Sequence, residues 1–177
     1  MQYSSRNRNG FTLVETIIGI VVLAIALTMI VPVLLPTQGQ SADQIHQIRA
    51  SELGQSLLNE ILAKSFDENS DRVGGVNRCD DTSMPTCSAI MADEEGGNRS
   101  LFDDVDDYVT GGFTSTILTA DNTSLSEHYQ GFQVKVNVFY DGLALGLANN
   151  RLAKRIEITV KTPSNFDITF VSYKANF

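Results

Sequence analysis

One acid stands out by its surroundings. Glu15 sits inside the apolar run Phe11–Pro36, FTLVETIIGIVVLAIALTMIVPVLLP, and no charge occurs from Thr16 to Leu35. In a bilayer such a residue costs about 2.5–3.5 kcal/mol and usually marks a functional partner. A carboxylate in the first turn of a helix recovers only about 0.3–1 kcal/mol from the helix dipole. The remainder calls for a cation, and the apolar run contains none. A cut between Gly10 and Phe11 would create one, the α-amino group of Phe11, one helical turn from Glu15.

Other candidate chemistry is sparse. Cys79 and Cys87 lie eight positions apart in a loop-like segment. Outside the cytoplasm they are expected to form a disulfide worth up to about 3 kcal/mol, the alternative being two free thiols. Asp103, Asp104, Asp106 and Asp107 crowd into FDDVDDY. Oxygen donors at that density could hold Ca²⁺, but the EF-hand spacing and its glycine are absent. A solvated acidic turn anchored by Phe102 and Tyr108 is the simpler expectation, with no resident metal or cofactor. His46 and His128 show no fixed ligand spacing. No nucleophile elbow or other catalytic constellation appears, so no enzyme is expected. The 13 Lys and Arg against 21 Asp and Glu argue against nucleic acid as a partner, which needs clustered cations.

These residues must be held by a few elements. The opening segment MQYSSRNRNG carries Arg6 and Arg8 and no acid. As a helix, Phe11 to Leu35 would span roughly 38 Å, enough for a bilayer core of about 30 Å. A lone strand could not satisfy its backbone in lipid. The basic start places the N-terminus in the cytoplasm and the remainder outside it. An ordinary secretory signal has a shorter apolar core and a small-residue cleavage site, which VPVLLPTQGQ lacks. A plain signal anchor is the competing reading.

Past Pro36 the pattern is again helical, over 37–65. Ile45, Ile48, Leu53, Leu57, Leu58, Ile61 and Leu62 form a one-sided stripe. Glu60 and Lys64 are spaced as an ion pair. Residues 66–130 hold 14 acids and three bases in Asn, Asp, Gly and Ser clusters. A helical turn within Ser100–Tyr108 and a strand at Phe113–Leu118 are expected there. Residues 131–177 alternate. Phe132, Val134, Val136, Val138 and Tyr140 share one face; Ile156, Ile158 and Val160 follow; FDITFVSY makes a third strand. Turns at Asp141-Gly142 and Thr162–Asn165 complete an antiparallel meander. Its six bases against three acids make the head two-sided in charge. Lys154 and Arg155 are expected to face partners.

GFTLVETIIGIVVLAIAL resembles the class III signal of type IV prepilins: a short basic leader, Gly10, Phe11, Thr12, Leu13 and Glu15, then an apolar helix. The resemblance implies an α+β, type IV pilin-like fold, in which a long N-terminal transmembrane and amphipathic helix packs on an antiparallel β-sheet head. It implies a leader over 1–10, a membrane half of the helix over 11–36 with bends at Pro32 and Pro36, and an amphipathic half over 37–65. A variable connection at 66–130 and the sheet at 131–177 follow. It further implies cleavage after Gly10 by a prepilin peptidase, methylation of the Phe11 amine, and pairing of Glu15 with that amine on a neighbouring subunit. The early Cys pair departs from major pilins, whose disulfide loop tends to lie near the C-terminus.

ASELGQSLLNEILAKSFDENSD, VGG, the Cys pair and FDDVDDY look like minor pilins of mannose-sensitive haemagglutinin (MSHA) pilus biogenesis. That implies a subunit that initiates or caps a filament. Its partners would be other minor and major pilins and an inner-membrane assembly platform. A type II secretion pseudopilin, or a periplasmic binding module on a simple anchor, are the alternatives.

Overall fold

The computed structural model describes residues 10–34, 38–70 and 78–176. The chain divides into two compact units, Met1–Ala42 and Asp43–Phe177. The first contains helix α1, Leu13–Leu34. Helix α2, Gln38–Leu62, runs into the second. Pro36 lies outside the described residues, as do Arg6 and Arg8. Pro32 lies within α1.

In α1, leucine, isoleucine and valine recur on every side, so no polar face exists to mark a solvent side. Residues from Leu13 to Val31 stand largely exposed, Leu13 at 76% and Ile20 at 62%. α2 is different. Ala50, Leu53, Leu57, Leu58 and Ile61 fall on one face at three- and four-residue steps, and all are buried. Ile45 and Ile48 are 54% and 60% exposed, because at about 100° per residue they point away from that face. The expectation that they belong to the core-facing stripe is corrected: His46 holds the core side of that turn and packs edge-on against Phe132, ring centres 5.7 Å apart.

The sheet has three antiparallel strands in the order β1-β2-β3. They are Gln133–Tyr140, Ala153–Lys161 and Asp167–Ala175. Val134 faces Val160, Val136 faces Ile158 and Val138 faces Ile156. One inner face thus meets the α2 stripe in a single core, joined by Val105, Tyr108 and Ile117 from the connection. The helix and sheet pack tightly at Gly54, where an added Cβ would lie 2.2 Å from the Phe170 ring. A glycine inside a helix lowers its stability, and here it makes room for an aromatic ring.

The Asp141-Gly142 turn is a longer excursion, with 3-10 turns at Gly142–Leu145 and Asn150–Leu152. The expected strand at Phe113–Leu118 reduces to two isolated bridges, Thr114 to Val134 and Leu118 to Ser124. The first of these, with the Thr110 N–H donating to the Val136 carbonyl at 3.0 Å, lines the outer edge of β1. The helical turn expected within Ser100–Tyr108 is a 3-10 turn at Asp106–Tyr108.

Candidate functional site

The N-terminal motif begins with exposed Gly10 and Phe11, ahead of α1. Thr12 caps the helix: its hydroxyl accepts the Glu15 N–H at 3.3 Å, and its carbonyl accepts the Thr16 N–H at 3.2 Å. Thr12 and Glu15 are spaced as a capping box, a local signal within the motif that sequence reading passed over. Thr12 therefore fixes where the helix starts, and with it the register of Glu15 against Phe11. The cap uses the backbone N–H of Glu15 and leaves its carboxylate available for a cation.

In the second unit, Cys79 and Cys87 are joined by a disulfide and buried. The bridge packs with Phe66 and Tyr140 in a small cluster of its own. Arg151 pins the loop, with Nε 2.6 Å from Asp80 Oδ2 and a terminal nitrogen 2.5 Å from the Cys87 carbonyl. Asn176 adds a bond from its side-chain amide to the Cys79 carbonyl at 3.0 Å.

FDDVDDY is not a solvated acidic turn. Asp104, Asp106 and Asp107 are buried. Asp104 Oδ1 accepts the N–H groups of Asp106 and Asp107, at 2.7 and 3.3 Å. Asp107 Oδ2 accepts those of Asp103 and Asp104, at 2.8 and 3.1 Å. Asp106 turns away to Lys154. The four acids therefore do not converge on one point as the calcium reading required. Carboxylates instead meet in other groups: Asp93, Glu95 and Asp107, and Glu68, Glu95 and Asp103. Hydrogen bonding to Asp107 pushes Glu95 up to about 7. Those oxygens suit a hard cation by type.

Lys154 also departs from expectation. It lies on the inner face of β2 and is fully buried, not turned to a partner. Its Nζ reaches the Phe66 carbonyl at 2.7 Å, Asp67 Oδ2 at 3.0 Å and Asp106 Oδ2 at 2.6 Å. Burial pushes Asp106 up to about 6. Burial and the neighbouring Asp106 charge push Asp104 up to about 7. Burial would also raise Asp67, but the Lys154 charge and the N–H groups of Asn69 and Ser88 outweigh it and hold that carboxyl below 3.8. Glu60 pairs with Arg99 at 2.9 Å and accepts the Tyr108 hydroxyl at 2.8 Å. Its expected partner, Lys64, donates instead to the Phe102 carbonyl at 2.6 Å. Lys154 and Arg151 thus spend two of the six bases of 131–177 on acids of the connection inside the head.

Residues 5–31 match the family described as the prokaryotic N-terminal methylation motif. No curated protein and no solved structure matches the chain. The chain is therefore type IV pilin-like in its N-terminal segment, and its apolar helix, second helix and antiparallel sheet fit the α+β pilin-like fold. Proteins with this motif are structural, not enzymatic. The motif implies processing by a prepilin peptidase and assembly with other pilins. Leu13–Pro32 is long and apolar enough to cross a membrane, in keeping with an inner-membrane anchor.

Proposed function

We propose that the chain is a minor pilin, similar to the MshD proteins of MSHA pilus biogenesis, that helps initiate or cap a filament. A prepilin peptidase cuts after Gly10 and the new Phe11 amine is methylated. Glu15 then pairs with the Phe11 amine of an adjacent subunit. The head lies in the periplasm, and the subunit is handed to the assembly platform in the inner membrane.

One observation carries this reading: the motif Gly10-Phe11-Thr12-Leu13-Val14-Glu15 heads a helix apolar on all sides. Such a helix needs lipid or other helices around its whole circumference. Thr12 satisfies a backbone donor at the start of α1, but among the described residues no cation pairs with the Glu15 carboxylate. Its own Phe11 amine competes for it, so subunits shifted along a common axis must offer a better geometry. Glu15 would then set register as well as recruit.

The direct test is mass spectrometry of the mature protein from its native membrane. The expected N-terminus is a methylated Phe11, and Gly10→Val should leave the full precursor in the inner membrane. A protein that keeps its leader in pilus-bearing cells would overturn the proposal and favour a simple anchor. Deleting the gene should lower pilus number per cell; lost secretion with normal pili would identify a pseudopilin.

A further inference from the structure

A fully buried lysine is rare, and its ammonium is expensive to desolvate. Lys154 is held by two carboxylates, both buried. The enclosure is walled by aromatic rings, with Nζ 4.6 Å from the Phe66 ring centre and 5.4 Å from that of Tyr140. Amine, acceptor carboxyl and a second acid touching the amine, shielded from water, are the parts an amide-forming condensation requires.

We propose that Lys154 and Asp67 condense to an intramolecular isopeptide bond, with Asp106 as the proton carrier. The amine becomes nucleophilic when Asp106, 2.6 Å away, takes a proton from Nζ. Nζ attacks Cγ of Asp67, Asp106 delivers the proton to the departing oxygen, and a second Nζ proton follows by the same route. The C–N bond forms, one C–O bond of Asp67 breaks, and water leaves. An ammonium and a carboxylate become an amide and water. No oxidant, cofactor or external proton is consumed, and Asp106 ends as it began.

The two acids are not equivalent. Asp67 is fixed by donors on both oxygens: the Asn69 N–H at 3.1 Å, the Ser88 N–H at 2.8 Å and the Ser88 hydroxyl at 3.2 Å. Those donors can hold the charge that develops on a tetrahedral intermediate. Asp106 has a buried Oδ1 without a hydrogen-bond partner among the described residues. Its raised carboxyl pKa, about 6, suits a group that must gain and lose a proton near neutrality. The product also removes a buried ion pair, whose desolvation costs several kcal/mol per ion. The bond would join the segment after α2 to β2 and enclose the Cys79–Cys87 loop within a second covalent ring.

The test is the intact mass of the purified full chain, followed by tryptic mapping. After allowance for N-terminal processing and the disulfide, the mass should fall short by one water. Trypsin should fail at Lys154 and yield peptide 65–72 bonded to peptide 152–155. Lys154→Arg should restore the full mass. Asp106→Asn, with its disulfide and circular dichroism intact, should do the same. Wild-type protein at full mass, with the two peptides separate, would overturn the proposal without needing any variant to fold. A bond from Lys154 to peptide 100–135 would overturn the assignment to Asp67. A normal yield of the bond in Asp106→Asn would overturn the role of Asp106.

Discussion

Replacing Asp104 by asparagine should stabilise the head at alkaline pH and do little in mild acid. Asp104 Oδ1 serves the backbone N–H groups of Asp106 and Asp107, and an asparagine oxygen can accept both. What the substitution removes is a buried carboxylate beside another acid. Its carboxyl moves from 3.8 to about 7 on folding. A raised pKa means the folded state holds the proton more tightly. The associated stability is fully present below 3.8 and is lost as pH rises through about 7. At about 1.4 kcal/mol per pH unit, this amounts to roughly 2–4 kcal/mol by pH 8, the lower figure applying if the carboxyl relaxes toward water. Asp106 and Glu95 move in the same direction, so the wild-type head should weaken from mild acid to pH 8. Asp67 opposes them only as pH falls below 3.8 toward its own depressed value, where the unfolded chain takes up a proton that the folded head resists. Urea unfolding of the full chain in detergent, followed by circular dichroism at pH 4.5 and 8, checks this. The Asp104→Asn midpoint should rise by about 1–2 M at pH 8 and by much less at pH 4.5. An equal shift at both pH values, or a lower midpoint at pH 8, would refute the reasoning.

Three further outcomes are expected. Glu15→Val should insert in the membrane and be cleaved normally but lose crosslinks to partner pilins; unchanged crosslinks and pilus counts would reduce Glu15 to a tolerated acid. Reducing Cys79–Cys87 should lower head stability by about 2–3 kcal/mol, read as a fall in the urea midpoint, and an unmoved midpoint would contradict it. Gly54→Ala gains about 1 kcal/mol of helix propensity but must displace the Phe170 ring at a cost of about 1–3 kcal/mol. It should therefore destabilise the wild type and stabilise a Phe170→Leu background; stabilisation in both would deny the close contact.

The periodic parts of the head were readable from the chain. Val134, Val136 and Val138, then Ile156, Ile158 and Val160, alternate as the strands do, and Leu53, Leu57, Leu58 and Ile61 mark the buried helix face. Ile45 and Ile48 are apolar and three apart, but the five-residue step from Ile48 to Leu53 sets them on the other side of the helix, where they lie open. Lys154 shares its strand parity with Ile156 and so belonged on the inner face by position; its charge argued the other way, and the acids that receive it lie 48 and 87 residues away. Glu60 found Arg99 across 39 residues in preference to a neighbour one turn along. The Asp104 and Asp107 bonds to nearby N–H groups are the local habit of aspartate in turns, a signal present in FDDVDDY and set aside in favour of solvation.

The long reach of the buried lysine bears on how the head comes to be folded. Lys154 closes on Phe66 across 88 residues, and Lys174 donates to the Leu62 carbonyl across 112. Contacts this distant along the chain are slow to form, because a large loop must close before any of them rewards it. The apolar face of α2 emerges first and must wait for β1 and β2 to be delivered. The interval between synthesis of Leu62 and of Lys161 is therefore a window of vulnerability to proteolysis and aggregation. Shielding of the Ala50–Ile61 face during that interval would raise the yield of folded subunits without any change in the finished fold.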